Sequence, residues 1–93
     1  MVTKKHVDGK SAGEIMLYAL STCGWCKKAK EILNKLGVAY DYINVDELSE
    51  AESTAIEEKE VKKYNPAATY PTLVINHQRA EIDFRAGKIA GLN

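Results

Sequence analysis

The stretch from Ile15 to Asp46 constrains the fold more than any other part of the chain. Ile15, Met16, Leu17, Tyr18, Ala19 and Leu20 run without a polar break, the pattern of a strand covered on both faces. Such a strand belongs at the centre of a sheet. Ser21 and Thr22 follow with helix-capping chemistry, and Cys26, Ala29, Ile32, Leu33 and Leu36 then recur at helical spacing until Gly37 closes the segment. Tyr40, Tyr42, Ile43 and Val45 form a second strand-like segment ending at Asp46. A strand, helix and strand joined by such short connections imply a parallel pair.

The remaining elements follow from turn and capping signals. Ser49 and Glu52 stand at capping-box spacing at the head of a helix running to Tyr64. Its apolar minority is Ala51, Ala55, Ile56 and Val61, and its charge run Glu57, Glu58, Glu60, Lys62, Lys63 reads as a solvated face. Asn65 and Pro66 stop that helix, and a loop leads through Tyr70 and Pro71 to the β-rich Thr72, Leu73, Val74 and Ile75. Asn76, His77 and Gln78 read as a hairpin turn, Ala80 to Asp83 as the returning edge strand, and Phe84 to Leu92 as a short final helix interrupted near Gly87. Met1 to Gly13 has little apolar periodicity, so residues 1–13 are expected to be a flexible tail and 14–93 the folded domain. The order β-α-β-α-β-β-α is that of a thioredoxin-like α/β fold, a four-stranded mixed sheet flanked by helices.

Composition narrows the function classes. The 93 residues, 45% of them hydrophobic, suffice for one modest core. Thirteen basic residues balance thirteen acidic ones, which removes any general pull toward nucleic acid or anionic membrane. No apolar run approaches the roughly 20 residues of a membrane span, and the first 13 residues are too polar for a signal peptide, so a cytoplasmic location is expected. In a reducing compartment the two cysteines are better suited to cycling than to a structural staple.

Those two are Cys23 and Cys26, separated by Gly24 and Trp25. A first cysteine at a strand-to-helix junction lies beside unsatisfied backbone N–H groups, which favour the reactive thiolate. Cys23 is therefore the expected nucleophile, with Lys27 adding positive potential. Cys26, one turn along and more buried, is the expected resolving thiol, displacing a reduced client from the mixed disulfide. A zinc site would need two more soft ligands, and His6 and His77 are the candidates. Their spacing fits no finger pattern, so no metal is expected. Trp25 reads either as a contact for a client chain or as a packed rim residue. Tyr70 and Pro71 precede the third strand of the domain, where a cis bond would turn the Tyr70 backbone toward an extended substrate. The residues alone leave the isomer open. Lys27, Lys28, Glu31 and Lys35 also pair along the helix surface as a solvated face.

The segment YALSTCGWC, continued by KKAKEILNKLGVAYDYINVD, resembles the glutaredoxin family over its active-site strand, first helix and second strand. TYPTLVIN resembles that family's cis-proline loop and third strand, which implies a cis Tyr70–Pro71 bond. The resemblance implies a dithiol oxidoreductase that reduces protein disulfides and holds no tightly bound cofactor. Leu20 stands where glutathione-using members carry a basic residue, and Ala80 to Phe84 replace their GG-x-D signature. Asp83 to Ile89 instead resembles, loosely, the C-terminal motif of NrdH redoxins, which draw electrons from thioredoxin reductase and pass them to ribonucleotide reductase. The resemblance thus implies disulfide-bearing clients and a thioredoxin reductase-like donor, with glutathione as the alternative reductant. A further alternative is a glutathione-assisted [2Fe–2S] carrier. A monomer is expected.

Overall fold

The computed structural model describes residues 4–92. Five strands form the main sheet: β1 (Lys5–Val7), β2 (Ile15–Ala19), β3 (Tyr40–Asn44), β4 (Thr72–Ile75) and β5 (Gln78–Ala80), in the spatial order β1-β3-β2-β4-β5. The apolar run does become the central strand. β2 pairs in parallel with β3 and antiparallel with β4, with α1 (Gly24–Leu36) as the crossover between β2 and β3. Gly37 ends α1 in the left-handed conformation at φ 72°, where its N–H reaches Asn34 O, a conformation that residues with a Cβ rarely adopt.

The alternation of β2 sorts the core into two layers. Ile15, Leu17 and Ala19 pack with Leu73 and Tyr40 against Cys26, Ala29, Ile32 and Leu33 of α1. Tyr18, Ile43, Val45 and Val74 pack on the opposite face with Val61, from the helical segment after β3. That segment consists of α2 (Glu50–Ile56), a wider π-helical turn over Glu57–Val61, and the single turn α3 (Lys62–Tyr64). Ser49 caps α2 through its hydroxyl, which accepts from Glu52 N–H at 3.2 Å, and Glu52 returns a bond to the Ser49 backbone.

Two expectations are corrected. The stretch expected as a flexible tail contains β1, which adds an antiparallel edge to β3, so the sheet has five strands rather than four; residues 1–3 of that stretch lie outside the described residues. Lys10 N–H also donates to Gly37 O at 2.7 Å, and Ala39 N–H to Lys10 O at 2.9 Å. These are main-chain bonds, which leave little trace in side-chain periodicity. The expected final helix is a hairpin of β6 (Ile82–Asp83) and β7 (Lys88–Ile89). Asp83 Oδ1 accepts from the N–H groups of Arg85 and Ala86, and Gly87 N–H bonds Asp83 O at φ 67°, so a helical start is turned back after one turn. Ile89, 1% exposed, then plugs the α1 side of the core.

Candidate active site

Cys23 lies just past the carboxyl end of β2, at the cap position before α1, with extended backbone angles of −85° and 119°. Cys26 N–H donates to its sulfur at 3.2 Å, and the first turn of α1 carries no acidic residue. A helix N-terminus free of carboxylates suits an anionic group. Cys23 is partly exposed, whereas Cys26 is fully buried, and both are thiols here. The Cys26 sulfur accepts from Leu20 N–H at 3.4 Å. Burial pushes the Cys26 thiol up to about 12, and its hydrogen bond with Cys23 pushes the same way.

Strand pairing brings a second loop to this junction. Thr72 opposes Tyr18 in the β2–β4 register, so Tyr70 and Pro71 lie beyond the end of β2 from which the chain proceeds to Cys23. The Tyr70–Pro71 bond is cis, and the Tyr70 carbonyl oxygen stands 4.0 Å from Cys23 Sγ. The loop is tied from beneath by a buried polar knot. Asn65 Nδ2 reaches Thr69 Oγ1 at 2.9 Å and Thr72 Oγ1 at 3.0 Å, while the Thr72 hydroxyl donates to Thr69 O at 2.6 Å. Burial, reinforced by the Glu57 carboxylate, pushes the Tyr70 phenol up to about 12.

Trp25, Tyr70, Pro71, Phe84 and Arg85 line an open groove of about 650 Å³ beside the sulfur. Trp25 is 62% exposed, and its ring centroid is 5.0 Å from that of Phe84 at an interplanar angle of 59°. The C-terminal hairpin thus supplies one wall of the groove. On the other side of the active-site loop, Ser21 donates to Asp46 through both its N–H and its hydroxyl, and these bonds hold the Asp46 carboxyl below its usual range. A separate hollow of about 370 Å³, around Glu14, Met16, Tyr18 and His77, lies toward the other end of β2 and contains neither cysteine.

Residues 15–80, which include this cysteine pair and the proline loop, match the sequence profile of the glutaredoxin family. The chain belongs to the glutaredoxin family. Among curated relatives, it is 36% identical to glutaredoxin 1 of Rickettsia prowazekii (strain Madrid E) over 63 residues, covering 68% of this chain and 62% of that protein. The chain therefore spans less than two thirds of the curated relatives it matches. Among solved structures, the glutaredoxin from Methanosarcina mazei Go1 superposes with a TM-score of 0.77 at 41% identity, covering 91% of this chain and 82% of that one. The methanoredoxin of Methanosarcina acetivorans gives 0.78 at 40% identity, over 90% and 86% of the two chains.

In this glutaredoxin-family chain the sequence-derived candidates Cys23, Cys26, Trp25, Tyr70 and Pro71 come together in one place. Lys27 is exposed on α1; its N–H donates to Cys23 O at 3.1 Å, but among the described residues its side chain makes no hydrogen bond or ion pair, and Lys30 is the lysine whose charge reaches the Cys26 sulfur. Lys30 Nζ is held 3.2 Å from Asn44 Oδ1 and 4.2 Å over the Tyr42 ring. The two histidines are placed apart from the thiols. His6 pairs with Asp41 and Asp8, and His77 with Glu14. Among the described residues no group of three or more His, Cys, Asp or Glu is arranged to hold a metal ion. Sequence reading missed the Asn65 knot and the Ser21–Asp46 tie. Asn65 stood out merely as a helix stop, and Phe84 and Arg85 through the loose C-terminal motif.

Proposed function

We propose that this chain is a dithiol oxidoreductase that reduces protein disulfides, with Cys23 as nucleophile and Cys26 as resolving thiol. One observation carries the reading: an accessible sulfur at a helix N-terminus accepts the N–H of a second, fully buried cysteine one turn along. The Cys23 thiolate attacks a client disulfide, forming one S–S bond with the client and releasing the first client sulfur, which takes a proton. Cys26 then attacks the Cys23 sulfur, its thiol proton goes to the departing second client sulfur, and the Cys23–Cys26 disulfide forms. Two electrons and two protons pass to the client. Trp25, Tyr70 and Pro71 line the groove where an extended client would lie, Tyr70 offering main-chain groups. Lys27 adds positive charge on the exposed side of α1.

The electron donor in this reading is a thioredoxin reductase-like flavoprotein, and ribonucleotide reductase is one client. Leu20 and the segment Ala80 to Phe84 support that choice over glutathione, since they replace the basic residue and the GG-x-D signature of glutathione-using members. Family membership supports glutathione as the second reductant. The protein acts as a monomer in the cytoplasm; no helix among the described residues is long and apolar enough to cross a membrane. A recycling assay comparing thioredoxin reductase with glutathione plus its reductase, on wild type, Cys23→Ser and Cys26→Ser, tests the reading. Turnover with thioredoxin reductase alone, abolished in Cys23→Ser, is expected. Full activity of Cys23→Ser overturns the mechanism, and a strict need for glutathione overturns the donor.

A further inference from the structure

The groove beside Cys23 is apolar along Trp25, Tyr70, Pro71 and Phe84, and its one charged lining residue is Arg85. Arg85 is exposed at the turn of the β6–β7 hairpin. Among the described residues no carboxylate pairs with its guanidinium; Asp83, the nearest acid in sequence, is turned to the backbone N–H groups of Arg85 and Ala86. Phe84 and Arg85 also wall a second hollow, shared with Lys28, Glu31, Ile32 and Lys35 of α1. On that α1 side the charge is three cations against one carboxylate, while on the hairpin's own side Glu81 and Asp83 stand with Lys88. An unpaired guanidinium lining an otherwise apolar trough suits a carboxylate, since its planar fork matches two carboxylate oxygens.

We propose that Arg85, with the Trp25–Phe84 wall, selects client segments that carry an apolar residue beside the disulfide cysteine and an aspartate or glutamate within a few residues of it. The proposal rests on the oxidoreductase reading above and names the substrate class of that same site. The aromatic wall takes the apolar side chain, and Arg85 fixes which way the segment runs by pairing with the acid. A lysine in the acidic position meets Arg85, Lys28 and Lys35 and is repelled.

The test uses reduced full-length protein in single turnover, with no external reductant. The probes are symmetric disulfides of the blocked peptide Cys-Leu-Xaa-Xaa, in which Xaa is Asp, Asn or Lys, and the neutral 2-hydroxyethyl disulfide is run alongside. The Asp peptide is expected to react roughly fivefold faster than the Asn peptide at low salt, and the Lys peptide more slowly than either. In Arg85→Glu the order is expected to invert, Lys ahead of Asp; a ratio within one variant is insensitive to partial loss of active protein. Asp and Asn rates within about twofold of each other in wild type, or an Asp preference that survives Arg85→Glu, overturn the proposal. Failure of wild type to reduce 2-hydroxyethyl disulfide overturns the oxidoreductase reading itself, so the two failures are distinguishable.

Discussion

Asn65 Nδ2 donates to Thr72 Oγ1 at 3.0 Å, and these are the two buried polar residues among the described residues. Thr72 begins β4 and Asn65 ends the helical segment on the far face, so one hydrogen bond joins the helix layer to the strand that carries the Tyr70–Pro71 loop. With the two bonds to Thr69, it holds that loop under Cys23.

Removing the Asn65 amide leaves the buried Thr72 hydroxyl oxygen without its donor and frees Thr69 from its side-chain tie. Asn65→Ala is expected to lower unfolding stability by about 1–3 kcal/mol, measured by urea denaturation. It is also expected to reduce client kcat/KM, because the proline loop loses its anchor. A change under about 0.5 kcal/mol would show the knot to be incidental.

The two thiols are expected to differ sharply in reactivity. Cys26 is buried and pushed up to about 12, so it stays protonated and shielded at neutral pH. Iodoacetamide at neutral pH is expected to label Cys23 alone in the native protein, as read by mass spectrometry. In Cys23→Ser, Cys26 is expected to react only after unfolding. Equal labelling of both native cysteines would refute the assignment of nucleophile and resolver.

Gly9 has no room for a side chain. A Cβ there would lie 2.6 Å from the Val38 carbonyl carbon and 2.7 Å from Ala39 N, both backbone atoms. Gly9→Ala is expected to detach the segment around β1, with a loss of about 1–2 kcal/mol and faster hydrogen exchange at residues 5–10. Because β1 is an edge strand remote from the thiols, client reduction is expected to persist.

The docking of β1 is expected to depend on pH. The Asp41 carboxylate, 2.7 Å from His6 Nδ1, raises the His6 pKa above 6.5, and Asp8 adds to this. Partial burial pushes Asp41 upward, but the hydrogen bonds from His6 and Lys4 outweigh it and leave Asp41 below 3.8. A raised histidine contributes fully below its ordinary value and loses that contribution as pH rises through the raised value; a depressed carboxylate loses its contribution as pH falls through the lowered one. Protection of the β1 amides, corrected for intrinsic exchange, is expected to be greater at about pH 6 than at about pH 9. His6→Gln is expected to remove that difference.

What was legible depended on the kind of interaction. Leu17, Ala19, Ala29 and Leu33 announce their burial through period, because side chains on one face of a strand or helix must all be apolar. Ser49 with Glu52 and Gly37 are equally plain, since a cap is a local matter. β1 was hidden because Lys5, His6 and Val7 join the sheet by main-chain bonds and ion pairs. The hairpin was hidden because Asp83 is as good a helix cap as it is a turn residue, and Gly87 alone decides against continuing.

The sequence by itself determined the central strand, the helix that starts at the cysteine pair, and which cysteine caps that helix and which lies buried in its first turn, because each follows from local period, capping and chain direction. Tertiary structure alone decided what surrounds them. Tyr70 meets Cys23 through strand register, Phe84 meets Trp25 through a hairpin that replaces a helix, and Arg85 is left unpaired in the lining of their groove. Tyr70 is 47 positions from Cys23 and Phe84 is 59 from Trp25, and contacts at that separation are set by how whole layers pack, which no short window of residues contains.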